Sequence, residues 1–256
     1  MTKIIEIKNI SYDNIFNKFN ISFPIEKLTY LSGPNNCGKT TLIRILDRKI
    51  ESKYSISINN KELNTLDLLE YYKTIKCLIP KEIDYINDTV QEEIDYHNKK
   101  LIDEQELIKR LKLTRLKKAQ ISCLEDKELI KLQLLIVLLS KPKVLFIDNI
   151  MSYFNKEEIN ELNDLLKDYI KEYKTTIIIT TIDLNNTIYS DYLIIINDNK
   201  IVLEGEPLKV LEKDNTINKV NLDLPFMIDL SSKLRDYDLI KEIEIDKESL
   251  VNKLWK

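Results

Sequence analysis

Glycine is scarce in this chain. Its 256 residues include only three glycines, whereas about 7% of the residues of an average protein are glycine. We therefore expect each glycine to stand where a side chain would not fit. Gly33 and Gly38 lie close together, and the third is Gly205. Any motif that requires glycine is excluded between Gly38 and Gly205, because that segment contains none.

Cysteine is also scarce, and long apolar runs and a large excess of one charge are absent from the sequence. Cys37, Cys77 and Cys123 have no metal-site or disulfide spacing, and such an odd, scattered set suits a reducing cytosol. The longest apolar stretch, 132–139, is far shorter than the roughly 20 residues of a membrane span. The start of the chain, M-T-K-I-I-E at 1–6, is charged too early for a signal peptide. The formal net charge is -3 with both signs interspersed, so we expect no nucleic-acid partner.

The two early glycines belong to a phosphate-binding motif. Residues 33–40 read G-P-N-N-C-G-K-T and satisfy the P-loop pattern G-x-x-x-x-G-K-[ST]. A predicted strand over 27–32 and a predicted helix over 40–46 flank the loop, so that N–H groups at the helix start can surround phosphate oxygens. The alternative is an incidental glycine turn. The predicted ATP-binding residues are Gly33, Pro34, Asn35, Asn36, Cys37, Gly38, Lys39, Thr40 and Thr41.

Individual residues of this loop have predicted roles. Lys39 would reach the β- and γ-phosphates of ATP, and the hydroxyl of Thr40 would help to hold Mg²⁺. Asn36 stands where a glycine is common, and asparagine tolerates the left-handed conformation better than most residues. Downstream, 144–148 reads V-L-F-I-D, the Walker B pattern of an apolar strand ending in a carboxylate. Thr40 and Asp148 are therefore the predicted Mg²⁺ ligands.

Hydrophobic periodicity predicts an α/β fold. Strands that alternate with helices argue for a sheet covered on both faces, and 91–140 has a helical period that indicates an inserted α-helical subdomain. A further helix is predicted over 156–173. The predicted strands are 3–12, 18–24, 27–32, 54–58, 74–80, 144–147, 175–181, 192–196 and 201–203.

The order of P-loop, helical insert and Walker B strand resembles the ATP-binding cassette (ABC) ATPases, which are P-loop NTPases. The tail, with G-E-P at 205–207 and V-N-L-D-L-P-F at 220–226, looks like that of the ATPase subunits of energy-coupling factor transporters, and T-V-Q-E-E-I at 89–94 matches another segment of that family. The resemblance implies a nucleotide-binding domain over 1–212 and a small C-terminal extension over 213–256.

This resemblance also implies cofactors, partners and a location. ATP and Mg²⁺ would be the cofactors. The partners would be a second ABC ATPase subunit, a transmembrane coupling subunit and a substrate-binding membrane subunit. The complex would take up a vitamin or a metal ion, with this chain cytoplasmic and peripheral on the inner face of the cell membrane.

Several family motifs are degenerate here. The catalytic glutamate falls on Asn149 and the switch histidine on Ile182, so both catalytic positions are predicted to be inactive, because an amide or an alkyl group cannot take a proton from water. The Q-loop glutamine falls near Ile79 and the D-loop aspartate on Asn155. The L-S-G-G-Q signature, which in the family binds the partner's ATP, falls on Leu124, Glu125, Asp126, Lys127 and Glu128.

Four further residues are open to interpretation. Glu125 and Asp126 either stand near the partner's γ-phosphate and repel it, or form a solvated helix start with no nucleotide nearby. Tyr12 is the nearest candidate to stack on adenine, and the alternative is a strand residue of the core. His97, the single histidine, is expected to be a solvated surface residue.

Three functions remain in competition. The first is a catalytically degenerate half of a heterodimeric importer ATPase. The second is an ATP-sensing or assembly subunit that never hydrolyses ATP. The third, a P-loop kinase or GTPase, fits poorly, because the few arginines form no cluster and no Asn-Lys-x-Asp guanine motif is present.

Overall fold

The computed structural model describes residues 4–98 and 104–254, which form two β-sheets surrounded by helices. The strands are β1 (Ile4–Tyr12), β2 (Phe16–Pro24), β3 (Leu28–Ser32), β4 (Lys53–Ile58), β5 (Lys61–Glu62), β6 (Ile75–Leu78), β7 (Val144–Ile147), β8 (Thr176–Thr181), β9 (Tyr192–Asn197) and β10 (Lys200–Gly205). The α-helices are α1 (Lys39–Leu46), α2 (Leu68–Thr74), α3 (Val90–His97), α4 (Glu104–Arg110), α5 (Asp126–Leu139), α6 (Lys156–Tyr173), α7 (Pro207–Leu211), α8 (Asp214–Lys219), α9 (Phe226–Asp236) and α10 (Lys247–Leu254).

The larger sheet places the P-loop strand near its centre. Its order is β10-β9-β3-β8-β7-β6, and all neighbours except the β9–β10 hairpin run parallel. Every residue of β3, β7 and β8 is buried, as expected for parallel strands covered on both faces. Because parallel strands end at the same edge, the segments that follow β3, β7 and β8 meet there, and ligands bind at such edges in α/β folds.

A second sheet was not predicted from the sequence. Four antiparallel strands in the order β2-β1-β4-β5 form it, whereas the sequence pattern had suggested a single sheet. The turn between Tyr12 and Phe16 is too short for the crossover that a parallel pair needs, so β1 and β2 pair as an antiparallel hairpin. The sheet's apolar face packs with α1 in a second core that includes Ile7, Phe23 and Ile43.

The helical insert agrees with the predicted segment 91–140. In its described part it comprises α3, α4 and α5 with two short 3₁₀ turns between α4 and α5. Thr89 and Glu92 form a capping box at the start of α3. α5 buries most of its length, including Leu132, and joins the main core. The short helix α2 was not predicted.

The C-terminal segment packs onto the larger sheet's core rather than standing apart. Ile217, Leu222 and Ile228 belong to the same buried cluster as the strands. Within the segment, the Ser231 hydroxyl donates to the carbonyl of Glu244 and accepts its N–H. A boundary near residue 213 therefore stays a prediction. No helix in the described ranges is both long and apolar enough for a membrane crossing.

Candidate nucleotide-binding site

The loop between β3 and α1 requires its glycines. Gly38 is the residue before α1 and has φ 101°, and a Cβ there would lie 2.6 Å from the ring of Phe16. A Cβ on Gly33 would lie 2.3 Å from the carbonyl oxygen of Ile196. Asn36 has φ 64°, the left-handed conformation expected of it. The backbone path of the loop therefore explains why the sequence keeps glycine at these two positions.

The start of α1 offers donors to an anion. No side chain among the described residues caps this helix start, and the N–H groups of a first helical turn have no acceptor within the helix. The ammonium of half-buried Lys39 donates to the carbonyls of Gly33 at 2.6 Å and Pro34 at 2.8 Å. These contacts fold the lysine back over its own loop. A phosphate chain is the ligand that such a cradle fits.

Asp148 and Thr40 meet although they are far apart in sequence. The Thr40 hydroxyl donates to Oδ2 of Asp148 at 2.8 Å, and the Thr180 hydroxyl donates to Oδ1 at 2.6 Å. Asp148 is buried, and its N–H donates to the carbonyl of Leu78. A hydroxyl and a carboxylate are hard oxygen donors of the kind that Mg²⁺ prefers beside nucleotide phosphates. The donor set therefore fits the predicted cation.

These groups share one cleft of about 450 Å³. The structure brings together most of the predicted loop residues, the predicted Mg²⁺ pair and both predicted catalytic positions. Gly33, Pro34 and Cys37 belong to the loop but do not line the cleft. Sequence reasoning missed two members, Ile15 from the β1–β2 turn and Thr180 from β8. The lining residues are Ile15, Asn35, Asn36, Gly38, Lys39, Thr40, Thr41, Asp148, Asn149, Thr180 and Ile182.

The two positions predicted to be catalytic, Asn149 and Ile182, carry no general base. Asn149 lies at the carboxyl end of β7 with φ 45°, and its N–H donates to the Thr180 hydroxyl at 3.0 Å. Ile182 exposes 41% of its surface. Among the described residues that line the cleft, Asp148 has the only carboxylate, and two hydroxyls already donate to it. The arrangement therefore offers donors for an anion and oxygen ligands for a cation, and the described residues that line the cleft offer no uncommitted base.

The residues predicted to form a degenerate signature, 124–128, lie at the start of α5 and do not line this cleft. Leu124 is buried, whereas Glu125 and Asp126 are exposed. Glu128 accepts the N–H of Glu125 at 2.9 Å, so a side chain of the same helix already occupies a helix-start donor. Asp126 pairs with Lys81 at 2.7 Å. Lys127 pairs with Glu158 at 2.8 Å, so its charge is not free to offset the exposed carboxylates.

His97 is not the freely solvated residue that we expected. Its Nε2 lies 3.1 Å from Oε1 of Glu93, one turn earlier on α3, and Glu93 is fully buried. Glu93 also accepts the N–H groups of Ile86 and Asn87 and the side-chain amide of Asn87. Burial raises the pKa of Glu93, but the hydrogen bonds from Asn87, Ile86 and His97 outweigh it and hold the pKa below its usual value. His97 therefore covers a buried carboxylate.

Three other predicted positions have structural roles. Tyr12 is half-buried against the second core and does not line the cleft, where Ile15 stands instead. Ile79, at the Q-loop position, is buried. Asn155, at the D-loop position, caps α6 by accepting the N–H of Glu158 at 2.9 Å.

The sequence of this chain is similar to a known protein family and to known members of it. The family model described as ABC transporter matches residues 16–152. The energy-coupling factor transporter ATP-binding protein EcfA of Pediococcus pentosaceus is 26% identical over 262 residues, which cover 96% of this chain and 94% of that protein.

Solved structures share the fold. The structure of cbiO1 from Clostridium perfringens, part of the ABC transporter complex cbiONQ, has a TM-score of 0.71 at 21% identity, over 92% of this chain and 100% of that one. A bacterial Atm1-family ABC exporter with ATP bound has a TM-score of 0.72 at 16% identity, over 86% of this chain and 42% of that one. At these identities the structural matches establish the fold alone.

Proposed function

This chain belongs to the ABC transporter family, and on that premise we propose that it is the ATP-binding subunit of an energy-coupling factor importer. One observation carries the proposal: the P-loop and the Thr40–Asp148 pair line the same cleft. The similarity to EcfA along nearly the whole of both chains, tail included, favours this transporter class over other members of the family.

Different residues of the cleft bind different parts of Mg-ATP. The ammonium of Lys39 and the free N–H groups at the start of α1 bind the phosphates. Thr40 and Asp148 hold Mg²⁺, which when bound neutralises phosphate charge and orients the phosphates. Ile15 lines the cleft with an apolar side chain, which has no group that could form a hydrogen bond with a base edge.

Hydrolysis by this cleft is proposed to be slow. An amide at Asn149 and an alkyl group at Ile182 cannot accept a proton from water, and general-base help of this kind contributes about 10²–10⁴ in rate. The Asp148 carboxylate is committed to Thr40 and Thr180. Binding of ATP is therefore expected to persist much longer than in a subunit that has the family's glutamate.

The start of α5 indicates a heterodimer. In a pair of identical chains, Glu125 and Asp126 would face both nucleotides, and Lys127 is already paired with Glu158. A partner that has an L-S-G-G-Q segment would instead complete the site of this P-loop. The further partners would be a transmembrane coupling subunit and a membrane subunit that binds a vitamin or a metal ion, with this chain peripheral on the inner face of the cell membrane.

A non-hydrolysing ATP sensor or assembly subunit is the second candidate. The observation that favours it is the pair Asn149 and Ile182 in the cleft. Both candidates bind ATP, and they differ in whether turnover accompanies transport. Phosphate release during uptake separates them, measured in reconstituted complexes whose partner ATPase has lost its P-loop lysine, because only the first candidate would then still hydrolyse ATP.

Co-expression with a second ABC ATPase tests the proposal. The chain is produced with a second ABC ATPase that has the intact signature, and the mixture is sized with and without Mg-ATP. We expect a heterodimer that ATP tightens, because a ligand stabilises the state that binds it. A tight ATP-dependent homodimer, with no heterodimer formed, would overturn the proposal.

A further inference from the structure

Thr180 makes contacts that a core threonine does not need. It is fully buried at the carboxyl end of β8. Its hydroxyl donates to Oδ1 of Asp148 at 2.6 Å and accepts the N–H of Asn149 at 3.0 Å. One side chain thus joins the two residues that follow β7, and it does so at the wall of the cleft.

The carboxylate of Asp148 depends on this contact for its orientation. The terminal torsion of an aspartate is soft, so the carboxylate plane rotates unless its oxygens are held. Thr40 holds Oδ2 at 2.8 Å, but Thr40 is itself a proposed Mg²⁺ ligand. The Thr180 hydroxyl is the donor to Asp148 that is not itself a proposed ligand. Carboxylates that bind metals are typically held by such a partner.

A second buried threonine shows what Thr180 would be without that role. Thr29 lies on β3, the neighbour of β8, and is also fully buried. Its hydroxyl has no hydrogen-bond partner among the described residues. Burial in this sheet therefore does not by itself give a threonine a polar partner, and Thr29 is a matched control for the loss of a buried hydroxyl.

We propose that Thr180 is a positioning residue for the divalent cation: it orients the Asp148 carboxylate toward the cation and, through Asn149, fixes the backbone beside it. The proposal rests on the proposed ATP-binding function of the same cleft. It predicts that replacing Thr180 weakens the Mg²⁺-dependent part of the affinity for ATP. The contacts of Lys39 and the P-loop N–H groups are separate from Thr180 and should be spared.

Calorimetry of ATP binding in Mg²⁺ and in EDTA tests this. Thr180→Val should weaken binding in Mg²⁺ by about 10- to 100-fold, the usual loss when the partner of a metal ligand is removed, and leave binding in EDTA unchanged. Thr180→Ser should restore the wild-type values, and Thr29→Val should match the wild type in both buffers. Thr180→Ala carries the same prediction if the valine variant does not fold.

A double-mutant cycle shows whether Thr180 acts through Asp148. Adding Thr180→Val to Asp148→Asn should cause no further loss of affinity in Mg²⁺, because the carboxylate that Thr180 orients is already gone. Equal losses in Mg²⁺ and EDTA, or no loss in either, would overturn the inference. A wild-type chain that bound no ATP in either buffer would instead contradict the proposed function itself.

Discussion

Replacing Asn149 by glutamate should increase ATP turnover. The substitution puts a carboxylate at the carboxyl end of β7, in the cleft that Lys39 and Asp148 line. A carboxylate at this position could accept a proton from water, which the amide of Asn149 cannot do. We expect a rise of about 10²-fold, the lower end of the general-base range, because the isolated chain has no partner signature.

The same substitution should cost stability. Asn149 is in the left-handed conformation at φ 45° and ψ 35°, which costs a residue such as glutamate about 1 kcal/mol or more. For a chain of this size, about 1 kcal/mol lowers the melting temperature by roughly 2–4 °C. Asn149→Gln is the matched control, because glutamine has the length and the strain of glutamate without its charge.

ATP turnover of the wild type and of both Asn149 variants is measured as phosphate release at saturating Mg-ATP. Each protein is also made with Lys39→Ala, which serves as the blank. Both variants should melt a few degrees below the wild type, and only the glutamate variant should hydrolyse faster. Equal turnover in the glutamate and glutamine variants, with ATP binding intact, would refute the assignment of Asn149 to the general-base position.

Two further predictions follow from the site and its surroundings. The purified wild-type chain should turn over ATP well below the median enzyme rate of about 10 s⁻¹, and a normal rate that Lys39→Ala abolishes would show another base. Because the pKa of Glu93 is lowered in the folded state, its stabilisation is present above the unfolded value of about 4.3 and is lost as pH falls below it. Glu93→Gln should therefore flatten melting temperature against pH below about 4.3, and an unchanged slope would contradict that role.

The P-loop was predictable because its chemistry lies in consecutive residues. The spacing from Gly33 to Thr40 sets the loop, and the left-handed conformation at Asn36 follows from the residue type. The strand that precedes Asp148 was also predictable from the sequence, because β7 is a short apolar run. These features need no knowledge of which strands are neighbours.

Thr180 could not be predicted, because its contact with Asp148 depends on the alignment of β7 with β8 across 32 residues of sequence. The only signal was a threonine-rich strand, which several folds could use. The pair His97 and Glu93 was visible at i, i+4 spacing. The backbone at Ile86 and Asn87 folds back and donates two N–H groups to the buried carboxylate of Glu93. The helical period of the sequence does not predict this backbone path. The second sheet was missed because strand signals do not specify partners.

The most direct test of the account is calorimetric titration of the wild-type chain and Lys39→Ala with Mg-ATP. Lys53, exposed on β4 and away from the cleft, supplies the matched control Lys53→Ala. We predict saturable binding by the wild type, a similar affinity for the Lys53 variant and at least a tenfold loss for the Lys39 variant, since a charge-assisted contact contributes about 1.5–3 kcal/mol. No binding by the wild type, or equal affinity for the wild type and the Lys39 variant, would contradict the account.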